Sequence, residues 1–151
     1  MDGASIHKRL TATISFSTTK AGVIHRKILE RPAYELFEMR CLLRAKIHRA
    51  VVTDANPEYV GSITIDDDLL QKVDIWPGEK VLVADVDNGA RFETYVVSGR
   101  SGSGIVCVNG SAAKLVNKGD KLIIMAYEYT DSPVTAKVAL VDERNRFVRS
   151  L

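Results

Sequence analysis

Cysteine is scarce in this chain: Cys41 and Cys107 stand alone among 151 residues, with no CxxC pair. That excludes a disulfide scaffold and offers neither a zinc cluster nor a dithiol redox motif. Two reduced thiols suit a cytosolic protein. Long apolar runs are missing as well. The longest, Leu122 to Tyr127, is strand-sized and far short of the ~18–20 residues of a membrane helix. Histidine occurs only as His7, His25 and His48, and HExxH is absent, so metal catalysis has no support. GxSxG is absent too. Gly102-Ser103-Gly104 lacks the GK[ST] of a phosphate loop and reads as a flexible connection. Asp66-Asp67-Asp68 resembles a cation site by composition only and reads as a solvated helix start.

Hydrophobic residues at 46% and charged residues at 26% are ordinary for a globular domain, which excludes disorder and a collagen-like chain. One domain is expected at this length, and it can bury roughly 70% of the surface its unfolded chain exposes. The net charge of +2 has a location. Residues 1–38 carry six Lys/Arg against four acids, leaving fifteen of each sign in residues 39–151. A neutral body argues against a nucleic-acid surface, whose footprint is a clustered basic face. The 1–38 arm is rich in Ser, Thr and basic residues and has no secretory h-region. A poorly ordered extension, an organelle transit segment and a start at Met39 all suit such a composition. Val23, Ile24, Ile28 and Leu29 also give it one amphipathic face ahead of Pro32.

From Arg40 the pattern is β. Strands are expected over Leu42 to Val52, Ser62 to Ile65, Lys80 to Val86, Arg91 to Val97, Ile105 to Val108, Leu122 to Tyr129 and Ala136 to Val141. Asn56-Pro57 marks a loop, since the residue before proline is pushed out of the α region. Asp66 to Asp68 supply an N-cap and an acidic first turn for a short helix through Val73. Asn88-Gly89 marks a hairpin, because both turn positions tolerate positive φ. Ser111 to Val116 reads as a helical turn. Many short strands between turn signals indicate a small β-barrel or sandwich, residues 39–151, with no internal repeat evident.

Several polar residues fall in or beside these strands: Lys46, His48, Tyr59, Ser62, Arg91, Thr94, Tyr95 and Asn109. Each alone has a plain structural role open to it, such as a solvent-facing strand position. Together they carry a pattern. Lys46-Ile47-His48-Arg49, then Tyr59-Val60-Gly61-Ser62, then Asn88-Gly89-Ala90-Arg91-Phe92-Glu93-Thr94-Tyr95, then Val108-Asn109-Gly110-Ser111-Ala112-Ala113 closely resemble the pyruvoyl-dependent aspartate 1-decarboxylases, over about residues 39–142. The order and spacing of the blocks match that family without a large insertion.

The resemblance implies a double-psi β-barrel with short helices, a homotetramer, and conversion of L-aspartate to β-alanine and CO2 in the cytoplasm for pantothenate and coenzyme A synthesis. It implies a covalent pyruvoyl group made from Ser62 that forms a Schiff base with the substrate. That group arises by cleavage between Gly61 and Ser62, with or without a maturation helper protein, and Thr94, His48 and Tyr59 assist. Decarboxylation leaves a carbanion that ordinary side chains cannot stabilise, so a ketone acting as electron sink meets a real chemical need. The resemblance further assigns Arg91 and Lys46 to substrate carboxylates, Tyr95 to protonation of the product carbon, and Asn109, Gly110, Ser111, Ala112 and Thr94 to the substrate site.

Strict strand alternation sets Thr94 on the opposite face from Arg91 and Tyr95, a conflict that a twist, a bulge or a site between subunits would relieve. Ser111 stands where Ala is common, and Ile63 follows the nucleophile where smaller or thiol residues are frequent. The Asp142 to Leu151 tail is short, and the arm has no counterpart in the family. A pyruvoyl decarboxylase for another acidic amino acid and a non-enzymatic β-barrel binding module are the rival readings.

Overall fold

A computed structural model describes residues 39–151; the 1–38 arm, with its expected amphipathic face and poor order, lies outside the described residues. The strands are β1 (Arg40–Val51), β2 (Asp54–Asn56), β3 (Ser62–Asp66), β4 (Lys80–Asp85), β5 (Arg91–Gly99), β6 (Val106–Asn109), β7 (Lys121–Thr130), β8 (Lys137–Val141) and β9 (Phe147–Ser150). Helix α1 (Asp67–Val73) follows β3, and a 3-10 turn (Gly110–Leu115) follows β6. The mainly β class with short helices is as expected.

The hydrogen-bonded order β2-β6-β3-β5-β4-β7-β1-β8-β9 closes on itself. β1 and β2 are one continuous segment interrupted only at Val52 and Thr53. Val52 N–H donates to Asp120 O at 2.9 Å beside β7, and Thr53 N–H to Val106 O at 2.8 Å on β6. Six segments therefore ring the core: β1/β2, β6, β3, β5, β4 and β7. β8 and β9 extend outward from β1.

The ring has a hidden regularity. β2–β6 and β3–β5 are parallel; β3–β6, β4–β5, β4–β7 and β1–β7 are antiparallel. Exchanging β1/β2 with β5, β3 with β6, and β4 with β7 leaves this pattern unchanged. Two interlocked β-β-β halves are thus joined as a double-psi barrel, each with a short helix after its second strand.

Period-2 alternation builds the core. Ile63 and Ile65 of β3, Val81 and Val83 of β4, Val106 and Val108 of β6, and Leu122 and Ile124 of β7 are all 1% exposed or less. Each such side chain contributes about 1.5–3 kcal/mol relative to exposure. Ile63 therefore points into the core, so its bulk does not crowd the Ser62 side chain. α1 caps one end: the Asp66 carboxylate accepts from Asp68 N–H at 3.0 Å, and Leu69, Leu70 and Val73 face inward.

Two strands were not expected. β2 has three residues, too few for alternation to register, and it exists because it pairs in parallel with β6. β9 is exposed throughout and pairs only with β8, so no apolar stripe announces it in the presumed tail. Among the described residues, no helix is long and apolar enough to cross a membrane.

Candidate active site at the Gly61–Ser62 peptide

Because Ile63 and Ile65 fill the core, alternation turns Ser62 and Thr64 to the other face of β3. The same rule turns Cys107 and Asn109 outward from β6. The antiparallel register then sets Ser62 opposite Asn109 and Thr64 opposite Cys107. These four residues form one hydrogen-bonded group. Asn109 Nδ2 donates to Ser62 Oγ at 3.0 Å and to Thr64 Oγ1 at 3.1 Å. Cys107 Sγ donates to Asn109 Oδ1 at 3.3 Å. Ser62, Asn109 and Cys107 are 1%, 5% and 8% exposed. Burial first, and then the Asp54 carboxylate, push the Cys107 thiol above its ordinary range, so it keeps its proton.

The backbone at this point is strained. Gly61 has φ 119° and Ser62 φ 108°, a region that residues with a Cβ rarely adopt. A residue held there costs about 1–3 kcal/mol and persists only when its surroundings fix it. A Cβ at Gly61 would meet nothing within 4 Å; glycine is required there by its φ and not by space. Gly110 is the converse. A Cβ on it would lie 2.7 Å from Gly61 Cα and 2.9 Å from Gly61 N. The start of the 3-10 turn thus lies against Gly61, with room at Gly110 for a glycine alone.

The remaining expected residues divide by strand. On β5, Ile63 pairs with Val96, so one step back puts Tyr95 level with Ser62 on the neighbouring strand. Tyr95 is 45% exposed. Arg91, four residues on, is about 13 Å away along the strand. Burial along β5 alternates regularly through Tyr95, and its ladder with β4 has no bulge. Thr94 therefore faces inward, opposite Arg91 and Tyr95, as strict alternation predicts.

Lys46 and His48 are farther still. Lys46 pairs with Met125, Met125 with Leu82, and Leu82 with Glu93. β1 and β5 thus stand three ladders apart, on opposite sides of the ring, at about 14 Å along the sheet. His48 sits between Ile123 and Leu140. Its pKa lies below the usual imidazole value through burial first, then the charges of Lys46 and Arg49. Its buried Nδ1 has no hydrogen-bond partner among the described residues. Tyr59 is 52% exposed; its carbonyl oxygen would lie 3.1 Å from a Cβ on Gly110.

One chain thus gathers Gly61, Ser62, Asn109 and Gly110, with Tyr95 alongside. It does not gather Lys46, His48 and Arg91 with them. The grooves of about 580 Å³ and 420 Å³ on the outer face of β1, β4 and β7 contain none of the expected site residues. Sequence reasoning did not single out Thr64 and Cys107, which share this hydrogen-bonded group with Ser62 and Asn109. The signal was available, since each is two positions from a recognised residue on the same strand.

Residues 38–148 match the family model described as aspartate decarboxylase. Among curated relatives, the aspartate 1-decarboxylase of Acetivibrio thermocellus is 52% identical over 111 residues, which cover 71% of this chain and 88% of that protein. The enzyme of that name from Neisseria meningitidis is 54% identical over 111 residues, covering 71% and 87%. The one from Bacillus cytotoxicus is 49% identical over 116 residues, covering 74% and 91%. On the match across nearly the whole described barrel, this chain belongs to the aspartate decarboxylase family.

Proposed function

We propose that this chain is an aspartate 1-decarboxylase proenzyme that cleaves itself between Gly61 and Ser62 and then converts L-aspartate to β-alanine and CO2. The observation that carries the reading is the Ser62 hydroxyl: it sits on a peptide with positive φ on both sides and accepts a hydrogen bond from Asn109 Nδ2.

The processing chemistry balances as follows. Ser62 Oγ adds to the Gly61 carbonyl carbon and loses its proton; the C–N bond breaks, the Ser62 nitrogen takes up a proton, and the peptide becomes an ester. Loss of the Ser62 α-proton then expels the Gly61 carboxylate by breaking Cβ–Oγ. The enamine left at residue 62 takes up water and releases ammonia, giving a ketone at the new N-terminus. Strain stored at Gly61 and Ser62 is relieved when the peptide opens. Thr94, His48 and Tyr59 are assigned to assisting this step. His48 suits it as a neutral imidazole with a free ring nitrogen.

The pyruvoyl group fits the position, because residue 62 supplies all its carbon and Asn109 already faces its side chain. When formed, it supplies a sink for the electrons left on carbon as CO2 departs. The chain's own residues do the rest. Arg91 offers a planar fork to one substrate carboxylate, and Lys46 a second cation to the other. Tyr95 Oη holds the proton delivered to the product carbon. Asn109 and the backbone of Gly110, Ser111 and Ala112 line the substrate; Thr94, assigned to the same site, faces the barrel interior on β5.

Lys46 and Arg91 come from opposite sides of one ring, so a site with both is completed by a second copy. The need for a second copy supports the homotetramer reading, and His48 Nδ1, without a hydrogen-bond partner among the described residues, agrees with it. A helper protein for maturation remains compatible with this reading. The two free thiols fit a reducing, cytoplasmic compartment. Residues 39–151 form the working barrel, with residues 1–38 an extension dispensable to it.

Ser62→Ala tests the reading: it is expected to leave one intact, inactive chain. The parent should turn over aspartate and reject alanine, since a site built for a polar group discriminates by up to ~10⁴–10⁵-fold against a substrate lacking it. Activity in Ser62→Ala would overturn the mechanism; equal rates on aspartate and alanine would overturn the substrate.

A further inference from the structure

Asn109 is a two-faced side chain: its NH2 end donates, its oxygen accepts, and rotation by half a turn exchanges them. Which end meets Ser62 matters for the chemistry. With the NH2 end toward Ser62, Oγ accepts a hydrogen bond and its own proton stays free to leave. With the oxygen end toward it, the hydroxyl proton would be held on Oδ1 and no amide donor would stabilise the charge that builds on Oγ as that proton leaves.

We infer that Cys107 and Thr64 are positioning residues for self-cleavage, which lock the Asn109 amide with its NH2 end on Ser62. The proposal rests on the reading of Ser62 as the cleavage nucleophile. Two contacts carry it. Cys107 Sγ lies 3.3 Å from Asn109 Oδ1. A thiol is a weak donor and a weak acceptor; with Oδ1 facing it the thiol proton has an acceptor, whereas an NH2 end would leave that proton without one. Thr64 Oγ1 accepts the second Nδ2 hydrogen at 3.1 Å, while Ser62 Oγ accepts the first at 3.0 Å. Both amide hydrogens and the amide oxygen are thereby used. Burial of the thiol keeps it protonated and therefore a donor.

The set follows from the fold. Thr64 and Cys107 form the cross-strand pair next to Ser62 and Asn109 on one face of the β3–β6 ladder. Facing pairs two residues apart are within side-chain reach of one another on such a face.

The test uses the full chain and follows loss of the uncleaved form with time by intact mass. Cys107→Ala and Thr64→Val should each slow cleavage by on the order of 10-fold, the effect of losing one hydrogen bond of about 1–1.5 kcal/mol. Cys107→Ser, which restores a donor, and Thr64→Ser, which restores an acceptor, should return it to within about threefold of the parent. Thermal unfolding of each variant separates slow cleavage from loss of fold. The serine variants keep the proposal open to refutation if an apolar variant unfolds.

Parental cleavage rates in both Cys107→Ala and Thr64→Val would overturn the proposal while leaving the role of Ser62 untouched. So would serine variants as slow as their apolar counterparts. A parent chain that never cleaves at Gly61–Ser62 would overturn both.

Discussion

Each half of the barrel has a glycine at positive φ before its second strand: Gly61 at 119° ahead of β3, and Gly104 at 69° ahead of β6. The register makes them counterparts. Ser62 lies opposite Asn109 at one end of the β3–β6 ladder. At the other end, Asp66 N–H donates to Ile105 O at 2.8 Å. Ile105 thus stands where Ser62 stands, and Asp66 where Asn109 stands. The second site is quiet: Asp66 accepts backbone N–H groups from Gly102 and Gly104, and Gly104 O accepts from Asn145 Nδ2 at 2.8 Å. A glycine bend alone is therefore a structural element of this fold. The first half adds three things: a hydroxyl after the glycine, a residue at that position itself at positive φ, and an amide donor facing it.

The comparison can be broken or sharpened at several points. The largest effect is expected from Arg91→Ala, which lies outside both glycine bends. It should cleave normally yet lose on the order of 10²–10³-fold in kcat/KM for aspartate, as an unpaired substrate carboxylate costs about 2–5 kcal/mol. Mass spectrometry beside an assay of CO2 release separates the two steps. A failure to cleave would show that Arg91 acts in processing.

Asp66→Ala comes next. It removes the acceptor for three backbone N–H groups, those of Asp68, Gly102 and Gly104, and the α1 cap among them. Denaturant unfolding should report a loss of about 2–4 kcal/mol. A smaller loss would mean that the second bend does not depend on its carboxylate.

Much of this was legible in the sequence. Strand after strand announced itself because Ile, Val and Leu alternate where one face meets the core, as at Ile63 and Ile65. Asp66 to Asp68 announced α1, and Asn88-Gly89 the β4–β5 hairpin, although Gly89 and not Asn88 takes positive φ there. The two-fold pairing was not legible, because Gly61-Ser62 and Gly104-Ile105 share only a glycine at positive φ and little chemistry. β2 and β9 escaped because pairing, and not composition, makes them strands. At the site, the family resemblance named Ser62, Asn109, Arg91 and Lys46, but periodicity along one strand says nothing of which strands meet across a closed ring. The placement of β1 opposite β5 therefore appears only in the fold.

Smaller effects sharpen the account. Ile105→Ser gives the second bend a hydroxyl after its glycine. It should lose about 1 kcal/mol of apolar burial and still show no break at Gly104, because Asp66 supplies no donor. Cleavage there would mean that glycine and hydroxyl suffice.

The smallest effect concerns His48. Its folded pKa is lowered, chiefly by burial and then by Lys46 and Arg49. Near its unfolded value of about 6.5, the unfolded chain binds more protons than the folded one. Stability should therefore fall as pH drops through that value toward the lowered folded pKa, and His48→Asn should flatten the dependence. Thermal midpoints between about pH 7.5 and 5.5 check this.

The central claim is that Ser62 becomes the reactive group by breaking its own peptide. Intact mass of the purified chain tests it most directly. The account predicts two fragments, residues 1–61 and 62–151, the second lighter by one ammonia than a chain beginning with serine. A single uncleaved chain that turns over aspartate would contradict it.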